Sequence, residues 1–195
     1  MSVLIAMCVF SLAMSVTPGP VNLITFSTGV NHGFRKAFPF VSGATFGFTL
    51  LLTAIGAGLG NLLMHYAYIL RLLGYAGAAF ICYMGYKIAT QGTAVTTDRK
   101  PPATFMKGAF LQWLNPKAWA ACLAGVVTFQ LADNYSLLLQ FVSIYFVICY
   151  LAIALWAFAG SHATTFVQNP KHLKALNVLM GTGLILLAVY LQLSI

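Results

Sequence analysis

A run of helix breakers, Thr17-Pro18-Gly19-Pro20-Val21-Asn22, interrupts the first long apolar stretch of the chain, residues 3–25. Proline has no backbone N–H and displaces the carbonyl four residues earlier, so the two prolines free the carbonyls of Met14 and Val16. Freed carbonyls are tolerated inside a membrane only where they face a cavity or other protein. A simple packing kink would need fewer breakers than two prolines and a glycine. The run therefore predicts a broken helix that lines a cavity.

The composition around this run is that of a membrane protein. Apolar residues make up 61% of the 195 positions and charged residues only 6%, with ten Lys and Arg against two Asp and Glu. A soluble domain is about 25% charged, so this chain cannot build a soluble surface. Most carboxylate-based enzyme chemistry is also excluded. The net charge of +8 does not indicate nucleic-acid binding, because the basic residues are scattered singly and form no patch.

Breakers and charges divide the chain into six apolar stretches, each close to the 20 or so residues that a membrane-spanning helix needs. The predicted fold is all-α, with six spans at 3–25, 39–63, 67–91, 108–131, 136–159 and 175–194. Spans 1 and 4 contain prolines and are expected to be broken.

A polar, proline-containing connection at 92–107 separates two halves of equal length, 1–91 and 105–195. Each half holds three predicted spans, so the second half is inverted relative to the first. Inverted repeats are the architecture of many secondary transporters, with the substrate site near the membrane midplane. The whole chain, 1–195, is expected to form a single membrane domain.

The distribution of Lys and Arg predicts the orientation in the membrane. Eight of the ten lie in or near the connections 26–38, 92–107 and 160–174, whereas Arg71 alone lies near another connection. The basic connections are therefore expected in the cytoplasm and both termini in the periplasm. The first sixteen residues lack a basic start and a cleavage motif, so a retained first span is favoured over a signal peptide.

The fourth span carries a second break, Asn115-Pro116-Lys117. Pro116 frees the carbonyl of Gln112, and Asn115 suits the N-cap of the half-helix that follows. Lys117 lies about 15 Å along a helix from Lys107, and a lysine so deep in a membrane is costly and by default functional. The alternative is that its long stem snorkels to the interface.

Together the two breaks suit a zwitterion. Half-helix N-termini present N–H groups to a carboxylate, and freed carbonyls with the oxygens of Thr17 and Asn22 can accept from an ammonium. Lys117 is expected to act either as the carboxylate partner or as the proton-responsive group of a transport cycle.

Span 2 carries a polar stripe and two G-x-x-x-G pairs, and close helix packing is their main expected role. Thr45 is kept as a candidate along the translocation path. The stripe consists of Ser42, Thr45, Thr49 and Thr53, and the pairs are Gly43/Gly47 and Gly56/Gly60.

The four cysteines, Cys8, Cys82, Cys122 and Cys149, are interpreted as small buried fillers, since no C-x-x-C pair exists. Neither a metal site nor a cofactor site is predicted. No hydrolytic constellation and no phosphate-binding loop occurs in the sequence, so an enzyme is not expected.

Four motifs together resemble the LysE/RhtB family of bacterial amino-acid exporters. They are T-P-G-P-V-N at 17–22, H-G-F-R-K at 32–36, the glycines at 43 and 47, and N-P-K-A at 115–118. The resemblance extends over essentially the whole chain. The stretches at 42–48 and 77–90 look most like the cysteine/O-acetylserine exporter branch.

The resemblance implies efflux of amino acids across the bacterial inner membrane, driven by proton exchange. Exporters of basic amino acids in this family can carry an acidic residue in span 2, and 42–48 has none. Lysine and arginine are therefore not expected as cargo. A glycine often stands in the family where this chain has Ala37. The family motif positions carry over to Pro18, Gly19, Pro20, Asn22, Asn115, Pro116 and Lys117.

The predicted function is a secondary transporter that exports small neutral amino acids or derivatives, such as cysteine, O-acetylserine, homoserine or threonine. Its expected partners are the cargo, protons as coupling ion and the lipid bilayer, while a homo-oligomer is left open. The rival interpretation is a membrane thiol-electron conduit with paired cysteines in spans 1 and 4. Cys8 lies ten residues before Pro18 but Cys122 lies six residues after Pro116, and these offsets disfavour it.

Overall fold

The computed structural model describes residues 3–59, 67–90, 101–132, 134–166 and 170–193. All regular structure in these ranges is helical, which confirms the all-α prediction there. The helices are α1 Val3–Val16, α2 Pro20–His32, α3 Phe34–Ala54, α4 Ala67–Ala89, α5 Phe105–Trp113, α6 Pro116–Thr128, α7 Tyr135–Phe166 and α8 Pro170–Leu193. A π-helical turn, Ile55–Leu59, extends α3.

Both predicted breaks are present. α1 and α2 meet at an angle of 59° across residues 17–19, and α5 and α6 are separated at residues 114 and 115. Pro20 and Pro116 each stand at the start of the second helix of their pair. Proline is well suited to this position, because the first helical N–H has no intrahelical partner to lose.

The predicted connections 26–38 and 160–174 are wrong. α2 continues to His32 and α3 begins at Phe34, so Gly33 alone separates them, with φ of 81° that an L side chain rarely adopts. The later helices α7 and α8 likewise extend through Phe166 and from Pro170. Polar and basic residues suggested loops, but the helices continue through them: α2 ends only at Gly33, and α8 begins at Pro170.

Three helical stretches among the described residues are long and apolar enough to cross a membrane: Phe34–Leu59, Tyr135–Ala163 and Pro170–Tyr190. The bent pair of α1 and α2 would make a fourth. Of the connection 92–107, residues 92–100 lie outside the described ranges, and α5 already begins at Phe105.

α7 lies at the centre of the packing. α1 and α2 contact it in succession, and α3 packs on both α7 and α5. α4 and α8 pack against each other. The cavity described below opens where the centre of α7 passes the two helix breaks.

Glycines allow these helices to touch backbone to backbone, as predicted for Gly43 and Gly47. A Cβ on Gly43 would collide with the backbone of Phe105, and one on Gly47 with that of Ala109, both on α5. Gly85 and Gly181 make the same kind of contact with each other between α4 and α8. Such close approach is the usual use of small residues in membrane helix packing.

The hydroxyls of the predicted polar stripe on α3 form hydrogen bonds within the protein. Thr45, Thr49 and Thr53 each donate to the carbonyl four residues earlier, at 2.8–3.0 Å. Ser42 Oγ lies 2.6 Å from the Tyr150 hydroxyl on α7. These contacts fit the packing role expected for the stripe.

Candidate functional site

A cavity lies where the two helix breaks approach α7. Its free space is about 40 Å³, enough for roughly three water molecules. Cys149 is the fifteenth of the 32 residues of α7, so the cavity lies about halfway along that helix. The lining residues come from six helices and both breaks: Met14, Ser15, Gly19, Val21, Asn22, Phe48, Gln112, Asn115, Lys117, Ala118, Ala121, Tyr145, Cys149 and Ile153.

Side chains satisfy the carbonyls that the first break frees. Met14 O accepts from Thr17 Oγ1 at 3.1 Å, and Val16 O accepts from Trp156 Nε1 at 3.3 Å. Between them, Ser15 O accepts from Asn22 Nδ2 at 2.9 Å. The sequence indicated which carbonyls would be released but not that Trp156 of α7 would serve one of them.

Lys117 connects the second break to the first. Its Nζ donates to the Thr17 carbonyl at 2.6 Å and to Thr17 Oγ1 at 2.9 Å, with the Pro18 carbonyl at 3.5 Å. Asn22 Nδ2 also donates to Thr17 O, at 2.9 Å. Of the acceptors predicted for the ammonium of a zwitterion, only the Thr17 oxygens are met by this lysine, and Asn22 acts as a donor instead.

Gly19 provides the space that Lys117 needs. Its backbone is extended, with φ of −163°, a conformation that any residue can adopt. A Cβ at this position would come within 3.0 Å of Lys117 Cδ and 3.2 Å of Nζ. A side chain on residue 19 would therefore press on the lysine stem.

The two half-helices present their N-termini differently. α6 is capped, because Asn115 Oδ1 accepts from the Lys117 backbone N–H at 3.1 Å, as predicted from its position. α2 has Gly19 as its N-cap and no side-chain cap, and its first-turn residues Val21 and Asn22 line the cavity. The amino end of α2 is therefore the one open to a ligand.

The predicted site residues take different positions. Gly19, Asn22, Asn115 and Lys117 line the cavity, and Thr17 bonds to the lysine. Pro18, Pro20 and Pro116 form the breaks. Thr45 lies outside the lining: it is fully buried and its hydroxyl donates to Val41 O at 3.0 Å.

Several lining residues were not singled out from the sequence as site candidates: Ser15, Phe48, Tyr145 and Cys149. The signal that could have found some of them is the spacing of Tyr145, Cys149 and Ile153 at four-residue intervals, which places them on one face of α7.

The cysteine prediction holds in part. Cys122 and Cys149 are buried, but Cys8 is exposed on α1, and all four thiols are free. Ser15 of α1 lies beside Cys149, and Cys122 lies on α6. The cysteines of spans 1 and 4 thus form no disulfide. The thiol-conduit alternative would require such a disulfide in its oxidised form.

Comparison with known proteins identifies the family of the chain. The family described as LysE type translocator matches residues 12–194. The chain belongs to the LysE family. This confirms, at the level of the family, the prediction of an amino-acid exporter rather than an enzyme.

Two relatives illustrate the match of this LysE-family chain. The cysteine/O-acetylserine efflux protein of Salmonella choleraesuis (strain SC-B67) is 28% identical over 189 residues, 92% of each chain. The protein of the same description from Escherichia coli (strain K12) is 31% identical over 137 residues, 70% of each chain. No solved structure matches the chain.

Proposed function

We propose that this LysE-family protein exports small neutral amino acids from the cytoplasm, with cysteine, O-acetylserine, homoserine and threonine as candidate cargo. The observation that carries the proposal is the cavity at the two helix breaks, where the Lys117 ammonium meets the carbonyls of Thr17 and Pro18 in the first break. The printed descriptions of the relatives support cysteine and O-acetylserine in particular.

The carboxylate of the cargo binds between Lys117 and the amino end of α2. Lys117 lines the cavity beside Val21 and Asn22, whose helix end is uncapped. Backbone N–H groups and the positive end of the helix dipole favour an anion there. An ammonium next to them adds a charge-assisted hydrogen bond.

The ammonium of the cargo binds at the carbonyls of Thr17 and Pro18, which Lys117 holds in the empty state. Cargo binding is therefore an exchange. Lys117 turns from the carbonyls to the incoming carboxylate, and the cargo ammonium takes its place. The break keeps a cation in both states, so its carbonyls are never left unpaired in the membrane.

The size and charge of the cavity support small neutral cargo. Free space of about 40 Å³ holds a few water molecules, so the cavity must widen to admit any amino acid, and a short one needs the smallest widening. No acidic side chain occurs among its lining residues in the described ranges. A second ammonium, as in lysine, would find no countercharge.

The helices can be arranged as six spans of the bacterial inner membrane. α4 and the bent pair of α5 and α6 would join the four candidates already given. The halves 1–91 and 105–195 would then form an inverted repeat within one domain, joined by a cytoplasmic connection at 92–107. The lysines and arginines favour periplasmic termini.

Export is coupled to proton antiport, with Lys117 as the proton-responsive group. The chain contains no Glu and only two Asp, at positions 98 and 133, and neither belongs to a predicted span. Lys117 exchanges partners during the cycle, so its proton affinity changes between conformations as its surroundings change. Lys117 thereby responds both to cargo binding and to protonation.

Transport into everted inner-membrane vesicles tests the function. Vesicles with the protein should take up labelled cysteine, O-acetylserine, homoserine or threonine faster than vesicles without it, and an imposed proton gradient should increase the rate. Lysine should not be taken up above background. If no neutral amino acid is transported, the proposed cargo class is wrong; if uptake ignores the gradient, the proton coupling is wrong.

A further inference from the structure

Two serine hydroxyls of α1 are buried without a hydrogen-bond partner in the described part of the chain. Ser11 and Ser15 are 0% and 8% exposed, and neither Oγ is hydrogen-bonded. They lie one helical turn apart, on the face of α1 that packs against α7. Of the two, only Ser15 lines the cavity.

An unpartnered hydroxyl at Ser15 requires a physical reason. Serine and threonine hydroxyls in membrane helices ordinarily donate to the carbonyl four residues earlier, as those of Thr25 and Thr28 do in this chain at 2.7 Å. Leaving a buried hydroxyl unpaired costs about 1–3 kcal/mol. A hydroxyl that faces a cavity recovers this cost when a ligand supplies the missing partner.

Two polar groups of α7 share the wall with Ser15. Its hydroxyl lies beside the Tyr145 hydroxyl and the Cys149 thiol, yet it completes no hydrogen bond of ordinary length with either. The Tyr145 ring is fixed by Phe48, with centroids 4.5 Å apart, and by Phe141, at 5.4 Å. The Tyr145 ring is therefore held by two aromatic contacts, and the wall carries three groups that can take part in hydrogen bonds.

The wall consists of groups other than those proposed to hold the zwitterion, within the same cavity. The Ser15 carbonyl is used by Asn22, so its side chain is the part left for a ligand. Lys117 lies at the break, bonded to Thr17. A cargo molecule held by its ammonium and carboxylate at the break would direct its side chain into the remaining lining, which includes Ser15, Tyr145 and Cys149.

We propose that Ser15 and Tyr145 form the subsite that reads the cargo side chain, and that Ser15 determines specificity by hydrogen bonding to its polar end. The inference rests on the proposed function and adds the recognition of the side chain. The subsite takes a short side chain that ends in a hydroxyl, a thiol or an ester oxygen. An apolar side chain of equal size leaves the Ser15 hydroxyl unpaired and binds more weakly.

The experiment compares Ser15→Ala with Ser11→Ala, which removes an equally buried, equally unpaired hydroxyl outside the cavity lining. Vesicles carrying each variant or the parent are given two labelled probes with the same number of side-chain heavy atoms, L-serine and L-2-aminobutyrate. O-acetyl-L-serine serves as a third probe. The measured quantity is the ratio of uptake efficiencies for serine over 2-aminobutyrate.

The parent and Ser11→Ala should prefer serine, and Ser15→Ala should lower that preference about fivefold, the effect of one net hydrogen bond of roughly 1 kcal/mol. Uptake of 2-aminobutyrate by Ser15→Ala should stay at the parent level or rise, which a merely misfolded variant would not show. Tyr145→Phe, which keeps the ring, should lower the serine preference in the same direction.

An unchanged ratio in Ser15→Ala, or an equal change in Ser11→Ala, overturns the subsite. If Ser15→Ala fails to accumulate in the membrane, Tyr145→Phe alone decides, and an unchanged ratio there also overturns it. Failure of the proposed function is distinct, because the parent itself would then transport none of the probes.

Discussion

Replacing Lys117 by Met removes the ammonium that joins the two helix breaks and keeps most of the side-chain bulk. The ammonium donates to Thr17 O at 2.6 Å and to Thr17 Oγ1 at 2.9 Å. After the substitution Thr17 O still accepts from Asn22 at 2.9 Å, and Thr17 Oγ1 still donates to Met14 O at 3.1 Å. We therefore expect normal insertion and a stability loss within about 1–2 kcal/mol.

Export should change far more than stability. A hydrogen bond to a charged group contributes about 1.5–3 kcal/mol, and each 1.4 kcal/mol is a factor of ten in affinity. Lys117→Met should thus weaken cargo binding by about 10- to 100-fold and remove stimulation by the proton gradient. Lys117→Arg keeps a charge that is not readily lost, so it should retain binding and lose coupled export.

The assay is concentration-dependent uptake of labelled cysteine into everted vesicles, with protein amount in the membrane measured in parallel. Lys36→Met is the matched control, because it makes the same chemical change at an exposed position in the first turn of α3. Lys36→Met should export at the parent rate. If Lys117→Met does so too, the lysine only ties the two breaks together and the exchange reasoning is refuted.

Three other predictions concern the breaks, the packing and the topology. Replacing Pro18 and Pro20 by Ala restores two backbone N–H groups and straightens the helix. Transport into vesicles should then be abolished while membrane insertion stays normal. Unchanged transport would mean that the break is only a packing kink. Gly181→Ala should lower the melting temperature in detergent, because its Cβ would meet the backbone of Gly85. The control Gly183→Ala places its Cβ where no atom lies within 4 Å, so it should leave the melting temperature unchanged. Equal melting temperatures for the two variants would contradict the helix contact. A C-terminal alkaline phosphatase fusion should be active in the periplasm, and activity of a cytoplasm-only reporter would show the orientation to be reversed.

The breaks were predictable because proline chemistry is local. The missing N–H of Pro18, Pro20 and Pro116 acts within one helical turn, so these prolines marked the two breaks. Proline alone does not decide, because Pro39 lies inside α3 without ending it. The cap on α6 is local as well, since Asn115 bonds two residues ahead in the chain. The all-α architecture followed from the apolar composition and the scarcity of charge.

Other features depend on contacts that sequence patterns do not encode. Lys117 meets Thr17 across 100 positions, and Val16 meets Trp156 across 140. The end of α2 was misplaced because basic residues near position 35 suggested a loop, whereas the helix ends only at Gly33. Ser15 was passed over because a serine in a membrane helix ordinarily bonds to its own helix.

The side-chain donors that cover the first break also bear on how the protein behaves when no cargo is present. Thr17, Asn22, Lys117 and Trp156 supply the hydrogen bonds that water would otherwise provide to the exposed backbone. A continuous file of water through a membrane conducts protons, and the cell would lose part of its electrochemical gradient through every idle copy. Because the carbonyls of the break are already hydrogen-bonded within the protein, they offer a file of water few anchoring points, and we expect the resting protein to conduct few protons.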